Sequence, residues 1–213
     1  MPPIDVATAD KLLTTTRSVR TRLDLTRPVE PELIAQCLEI ATQAPQGSNL
    51  CRYHFLVVTD ATKRARLADM YRRAFPTFYT PEQIAELQRT RPRDVVSWLF
   101  LLEHMQDVPV LIIPCVEGRP EGRVPERLSG LYGNILPAAW SLMLALRARG
   151  VGAAWTTIAL TYEDEVSALL DIPKTVTAAA VLPVAYFTGD DFKPATRVPA
   201  RDRTYWNTWG TRR

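Results

Sequence analysis

Two arginines, a serine and a threonine stand within five residues at Thr16-Arg17-Ser18-Val19-Arg20, with no acid among them. Guanidinium groups and hydroxyls at this density suit a phosphate or an electron-rich ring carbonyl. The same run equally suits an ordinary solvated basic surface. Two later segments carry polar groups on turns and could complete an anion-and-ring site. They are Ala44 to Phe55, centred on Gly47-Ser48-Asn49, and Arg197 to Gly210.

Other chemistry has little support. The sequence has no GxSxG elbow and no Cys-His pair in a supporting context, so a nucleophilic hydrolase is not indicated. Gly150-Val151-Gly152 follows a helical pattern and enters a strand. A dinucleotide fingerprint needs strand, turn, then helix, so a helix C-cap plus a close-packed strand start is the better reading. Cys37, Cys51 and Cys115 are odd in number and lack CxxC spacing, which points to a reducing, cytoplasmic setting. Cys51 and His54 offer only two metal ligands, so no metal is expected.

Composition sets the frame. The 213 residues are 46% hydrophobic and 23% charged, ample for one buried core. A net charge of +3 is too mild for a nucleic-acid partner. Val108 to Val116 and Ile135 to Leu146 fall short of the roughly 20 apolar residues of a membrane span. The opening MPPIDVATAD lacks a basic region followed by an apolar run, so no signal peptide is expected.

The elements that must position these groups follow from periodicity. Helices are expected over 30–43, 62–73, from Thr80-Pro81, over 93–105, 128–149 and 163–170. Strands are expected at Phe55 to Val58, Val108 to Val116, Ala153 to Ile158 and Ala178 to Phe187. Pro109 and Pro114 are read as lying near the ends of the second strand. Pro137 is read as a kink in the long helix or its true start. The order is that of an α+β fold.

Six segments, in order, resemble the FMN-dependent nitroreductase family. TTTRSVRTR resembles its RRSVRxF opening, and APQGSNLCRYHFLVV its glycine loop and strand. HMQDVPVLIIPCVE resembles a second strand, and GNILPAAWSLMLALRARGVGAAWTT the long helix and strand ending in TT. EVSALLDIPKTVTAAAVLPVAYF and the closing TRVPARDRTYWNTWG complete the likeness. It covers nearly the whole chain except 70–105.

The resemblance implies a nitroreductase-like α+β fold with a central, mostly antiparallel sheet flanked by helices, forming an intertwined homodimer. It implies one domain over 1–213, with a variable helical region at 70–105 covering the substrate and a C-terminal arm at 190–213. It implies FMN held by Arg17, Ser18 and Arg20, by Gly47, Ser48 and Asn49, by Thr156 and Thr157, and by Arg197. NADH or NADPH would be the reductant, and a nitroaromatic or quinone-like small molecule the acceptor, in ping-pong turnover. The cofactor carries the reaction, so no catalytic side chain is expected. Three departures stand out: Thr16 replaces an arginine, Cys51-Arg52-Tyr53 replaces QPW, and Val198 replaces an arginine.

Other readings stay open beside this one. They are a flavin-sequestering homodimer without turnover, a reductive dehalogenase or flavin-modifying enzyme of the same fold, and an anion or nucleic-acid binder using the Arg119 to Arg127 loop. Tyr205, Trp206 and Trp209 suit either packing on their own core or an embrace of a partner subunit.

Overall fold

A computed structural model of the chain describes residues 5–213. Five strands make one sheet: β1 (Tyr53–Val58), β2 (Val110–Glu117), β3 (Val151–Ala153), β4 (Val176–Ala178) and β5 (Leu182–Tyr186). The order is β1-β2-β5-β3, with β4 also on β2, and every pairing is antiparallel. Among the described residues there are seven helices in sequence: α1 (Val6–Thr15), α2 (Pro31–Ala41), α3 (Ala61–Phe78), α4 (Pro81–Thr90), α5 (Pro92–His104), α6 (Pro125–Arg147) and α7 (Glu163–Leu170). The expected α+β class and antiparallel sheet are present.

β2 is the spine, with only Glu117 exposed. Val110 and Ile112 join Leu182 and Val184 in a core closed by Ile34, Cys37 and Ala41 of α2 and Leu142, Met143 and Leu146 of α6. Strand residues alternate faces, so Leu111, Ile113 and Cys115 point the other way, and they too are buried. Both faces of β2 are therefore covered, which explains its unbroken apolar sequence.

Pro114 lies well inside β2, not near its end. It is opposite Phe55 in β1, and its carbonyl accepts from the Ala179 amide at 2.8 Å. A strand residue aims its N and its carbonyl toward the same neighbour, so the N–H that proline lacks would have pointed at the Ala179 side. That is where the apolar run expected to form one strand is broken. β4 ends at Ala178 and β5 begins at Leu182, leaving a gap opposite Pro114.

Three other expectations shift. The strand expected at Ala153 to Ile158 sits earlier, as β3, and the chain then forms a single bridge between Thr156 and Val181 before a 3-10 turn at Ile158–Tyr162. α3 runs through Pro76, because Ala74 and Phe75 are buried and hold the last turn in place. α6 is continuous from Pro125, so Pro137 lies inside it and is not its start. The start at Thr80 matches expectation and is a full capping box: Thr80 accepts from the Gln83 amide and the Gln83 side chain accepts from the Thr80 amide.

The chain divides into two compact units. Residues 17–189 hold the sheet and α2 to α7. The other unit joins residues 5–16 to residues 190–213. Its helix α1, not foreseen from sequence, is capped by Asp5, which accepts from the Ala7 amide. Lys11 pairs with Asp191 at 2.8 Å. In its tail Tyr205 leans on Trp209 at 4.7 Å, Arg213 lies over Trp206, and Trp209 is 90% exposed.

Candidate functional site

The arginine turn is stitched to the end of β3 across more than 130 residues of sequence. The Val19 amide donates to the Ala153 carbonyl at 2.9 Å, and the Trp155 amide donates to Ser18 Oγ at 3.0 Å. Arg20 Nη2 donates to the Trp155 carbonyl at 3.4 Å. Gly152 permits this approach. A Cβ there would stand 3.0 Å from Val19 Cβ and 3.3 Å from a Leu23 methyl. The glycine read from sequence as a strand start is therefore the point at which two backbones meet.

Arg20 is half-buried, and its one hydrogen bond among those described leaves most of its five donors unspent. Burial pushes its pKa down, while Tyr71, Tyr79 and Asp94 nearby favour its charge. An arginine stays protonated under any such shift. A guanidinium with free donors at a half-buried site is a receptor for an anion or a carbonyl-rich ring edge. Arg17 and Ser18 are half-buried beside it.

Thr156 is buried and Thr157 exposed. The Thr156 amide donates to the Val181 carbonyl at 3.2 Å, and the Val181 amide returns a bond at 2.8 Å. The Thr156 hydroxyl accepts from the Ile158 amide at 3.4 Å. Burial raises the Tyr71 phenol to about 12, so it is neutral across the working range.

Gly47, Ser48 and Asn49 sit elsewhere, on α6. The Gly47 amide donates to Asn134 Oδ1 at 2.7 Å, and Asn134 Nδ2 donates to the Gly130 carbonyl at 2.7 Å. Ser48, Asn49 and Cys51 all have positive φ (54°, 53° and 45°), a conformation that costs a non-glycine residue roughly 1 kcal/mol. Gln46 Nε2 donates to Cys51 Sγ at 3.0 Å, while Gln46 Oε1 is buried without a partner. Asn134 was missed because an asparagine inside an apolar helix pattern gives no sign of which loop it will meet.

Arg197 belongs to the second unit, where it is exposed and Nη1 donates to the Thr196 carbonyl at 3.4 Å. Sequence grouped it with the other site residues. The structure brings Ser18 and Arg20 together with Trp155 and Thr156, and seats the Gly47 loop on α6.

The Arg119 to Arg127 loop is not an open basic patch at its first arginine. Arg119 bonds both Glu163 oxygens, at 2.6 and 3.0 Å, as well as Glu121 and the Val176 carbonyl. These carboxylates raise its pKa. Glu163 was expected to open a helix, and it does, but it also clasps the β2 end to the start of α7. Cys51 and His54 have separate partners, Gln46 and Glu117. Among the described residues no group of three or more His, Cys, Asp or Glu could hold a metal ion. No described helix is long and apolar enough to cross a membrane.

The nitroreductase family model matches residues 13–186. The chain belongs to the nitroreductase family. It is 28% identical over 193 residues to the 5,6-dimethylbenzimidazole synthase of Rhodospirillum rubrum, covering 85% of this chain and 81% of that one. Among solved structures it is similar to an oxidized iodotyrosine deiodinase bound to FMN and 3-iodo-L-tyrosine, with TM-score 0.69, 23% identity, and 93% and 98% of the two chains covered. It is also similar to an FMN- and NADPH-dependent nitroreductase from sphigopyxis sp. strain HMH, with TM-score 0.69, 20% identity, and 94% and 99% covered. At such identities these two structures establish the nitroreductase-like fold, and their named reactions differ.

Proposed function

We propose that this chain is an FMN-dependent NAD(P)H oxidoreductase that reduces nitroaromatic or quinone-like acceptors as a homodimer. The observation that carries the reading is the half-buried Arg20 guanidinium, with most donors unspent, docked beside the Trp155–Thr156 strand end. Bound FMN would supply two-electron chemistry between the nicotinamide and the acceptor.

The residues present fit that cofactor. Arg20 places positive charge where an anionic ring edge would be stabilised, and Arg17 and Ser18 add donors for it and for a phosphate. The buried Thr156 holds its backbone against Val181, so Thr157 is presented from a fixed frame. Gly47, Ser48 and Asn49 are proposed to contact the cofactor from the partner subunit, and Arg197 to reach its phosphate. In this reading residues 1–213 act as one functional domain, with 70–105 over the substrate.

A homodimer suits the surface of α6. Leu136 and Trp140 are exposed on it, and a Cβ at Gly130 or Gly133 would meet nothing within 4 Å. An apolar helix face with bare backbone beside it favours close packing against a second copy. The three free thiols suit a reducing compartment, and we place the protein in the cytoplasm.

A second reading, a flavin-modifying or dehalogenating enzyme, draws on the named activities of the synthase and deiodinase relatives. One measurement separates the readings. The purified protein should take up FMN, and NADPH without oxygen should bleach its visible band, with a quinone restoring it. A bleach by NADPH with no return would favour flavin modification. A colour untouched by NADPH would favour sequestration, and colourless protein that takes up no FMN would sink all three.

A further inference from the structure

The flavin reading gives no role to Arg119, which sequence placed in a loop open to an anion or a nucleic acid. Its fork is already spent. Nη1 and Nη2 donate to the two Glu163 oxygens at 2.6 and 3.0 Å, and Nη1 also reaches the Val176 carbonyl at 3.2 Å. Nε and Nη2 meet Glu121 at 3.2 and 2.8 Å. The Arg119 and Glu163 side chains are only 31% and 25% exposed. A helix start by itself favours acids such as Glu163, Asp164 and Glu165. It does not call for a two-pronged arginine from another element. An ion pair drawn largely out of water adds little net stability, and fixing one arrangement is its best-attested use.

The arrangement fixed here leads to the site. The Arg119 end is anchored in the sheet. The Gly118 amide donates to the Thr175 carbonyl at 2.6 Å, and Thr177 Oγ1 donates to the Gly118 carbonyl at 2.6 Å. The Glu163 end runs back into the 3-10 turn Ile158–Tyr162, which follows Thr157 directly. The Leu160 amide donates to the Thr157 carbonyl at 2.9 Å, and Ala159 is buried. Thr156 is held separately, by its two bonds to Val181. The span from Thr156 to Glu163 is therefore pinned at both ends, with Thr157 on it. Five residues of 3-10 turn cover about 10 Å, so the clasp lies one short segment from Thr157.

We propose that Arg119 is a positioning residue: by clasping Glu163 it fixes the far end of this span and so sets where Thr157 stands against a flavin ring. The role rests on the flavin reading for its consequence, and on the Arg119–Glu163 clasp for its geometry. Arg73 of α3 meets the same corner, over the Tyr162 ring at 4.3 Å and on Glu165 at 2.7 Å. Both members of that ion pair are exposed, and exposed pairs contribute little.

The test uses Glu163→Gln, which keeps the shape of the acceptor and removes its charge, and Arg119→Lys, which keeps the charge and loses the fork. In the protein without flavin, hydrogen exchange at the Leu160 amide should quicken about tenfold in either variant, the scale of one lost charged hydrogen bond. The Val181 amide and those of α2 should keep their wild-type rates. The double variant should add little to either single change. With FMN, each variant should weaken binding about fivefold and shift the flavin midpoint potential, which a purely structural role would not move. Arg73→Ala, the control, should change exchange and FMN affinity by no more than about twofold.

Unchanged exchange at Leu160, or equal quickening throughout the chain, would overturn the role. So would quickened exchange with FMN affinity and potential both at wild-type values, and so would an equal response to Arg73→Ala. If the wild-type protein takes up no FMN, the functional reading fails, and the proposed role toward flavin fails with it. Exchange at Leu160 would then still say whether Arg119 fixes the span, so the two failures are told apart.

Discussion

The arginine turn and the Gly47 loop were grouped by sequence as two walls of one site, yet they are built in opposite ways. Residues 17–20 are bonded into the sheet, with Val19 buried and Ser18, Val19 and Arg20 each tied to the segment 153–155. The loop at 47–51 is exposed, holds three non-glycine residues at positive φ, and is seated on α6 through Asn134. One wall is finished by its own chain. The other carries backbone strain of a kind that gathers at ligand clamps and is sustained by its surroundings. In the proposed function, that second wall would be completed by a cofactor and a partner subunit.

The contrast can be broken from the finished side first. Gly152→Val should force the turn off the sheet, since a Cβ there would stand 3.0 Å from Val19 Cβ. A loss of about 3 kcal/mol in stability is expected from such overpacking, read by urea denaturation. Arg20→Ala should leave the fold intact and weaken FMN binding about 30-fold, near the 2 kcal/mol of a charged hydrogen bond, read by fluorescence titration. Unchanged FMN retention would remove Arg20 from the site.

The loop side should respond more mildly. Asn134→Ala leaves the Gly47 amide without its acceptor, so a fall of about 1 kcal/mol is expected in thermal denaturation, together with weaker FMN binding. Ser48→Gly should do the reverse. Relieving φ of 54° is expected to raise stability by about 0.5 kcal/mol, seen as a small rise in Tm. If Ser48→Gly also weakens FMN binding, the strain is part of the clamp. If it does not, the strain belongs to the loop alone.

Much of the fold was readable because local chemistry and tertiary need agree. Thr80, Pro81 and Gln83 specify a helix start by themselves, and the apolar residues of α2 and α6 supply most of their buried faces, although Ile40 and Leu136 stay exposed. Disagreement appears where a local rule is overridden. Pro76 and Pro137 signal breaks, but buried neighbours hold both helices through them. Pro114 was expected near a strand end because a proline lacks its ladder donor. It is tolerated inside β2 because that missing donor faces the gap between β4 and β5.

The candidate site divides the same way. Residue type alone marked Arg17, Ser18 and Arg20 as donors and Gly47 to Asn49 as a turn, since charge and turn preference are local properties. Asn134 and the partner of Gly152 had no local signal. Each acts through a residue distant in sequence, Asn134 on Gly47 and Gly152 on Val19, and only packing decides such partners.

The sequence by itself determined which groups this protein has to offer and in which order, because donors, caps and apolar periods are written residue by residue. Only the tertiary structure decided which of them meet. It joined Arg20 to the Thr156 strand end, gave Arg119 to Glu163, and set the Gly47 loop apart on α6, because burial and hydrogen-bond satisfaction are settled between distant segments and not within one.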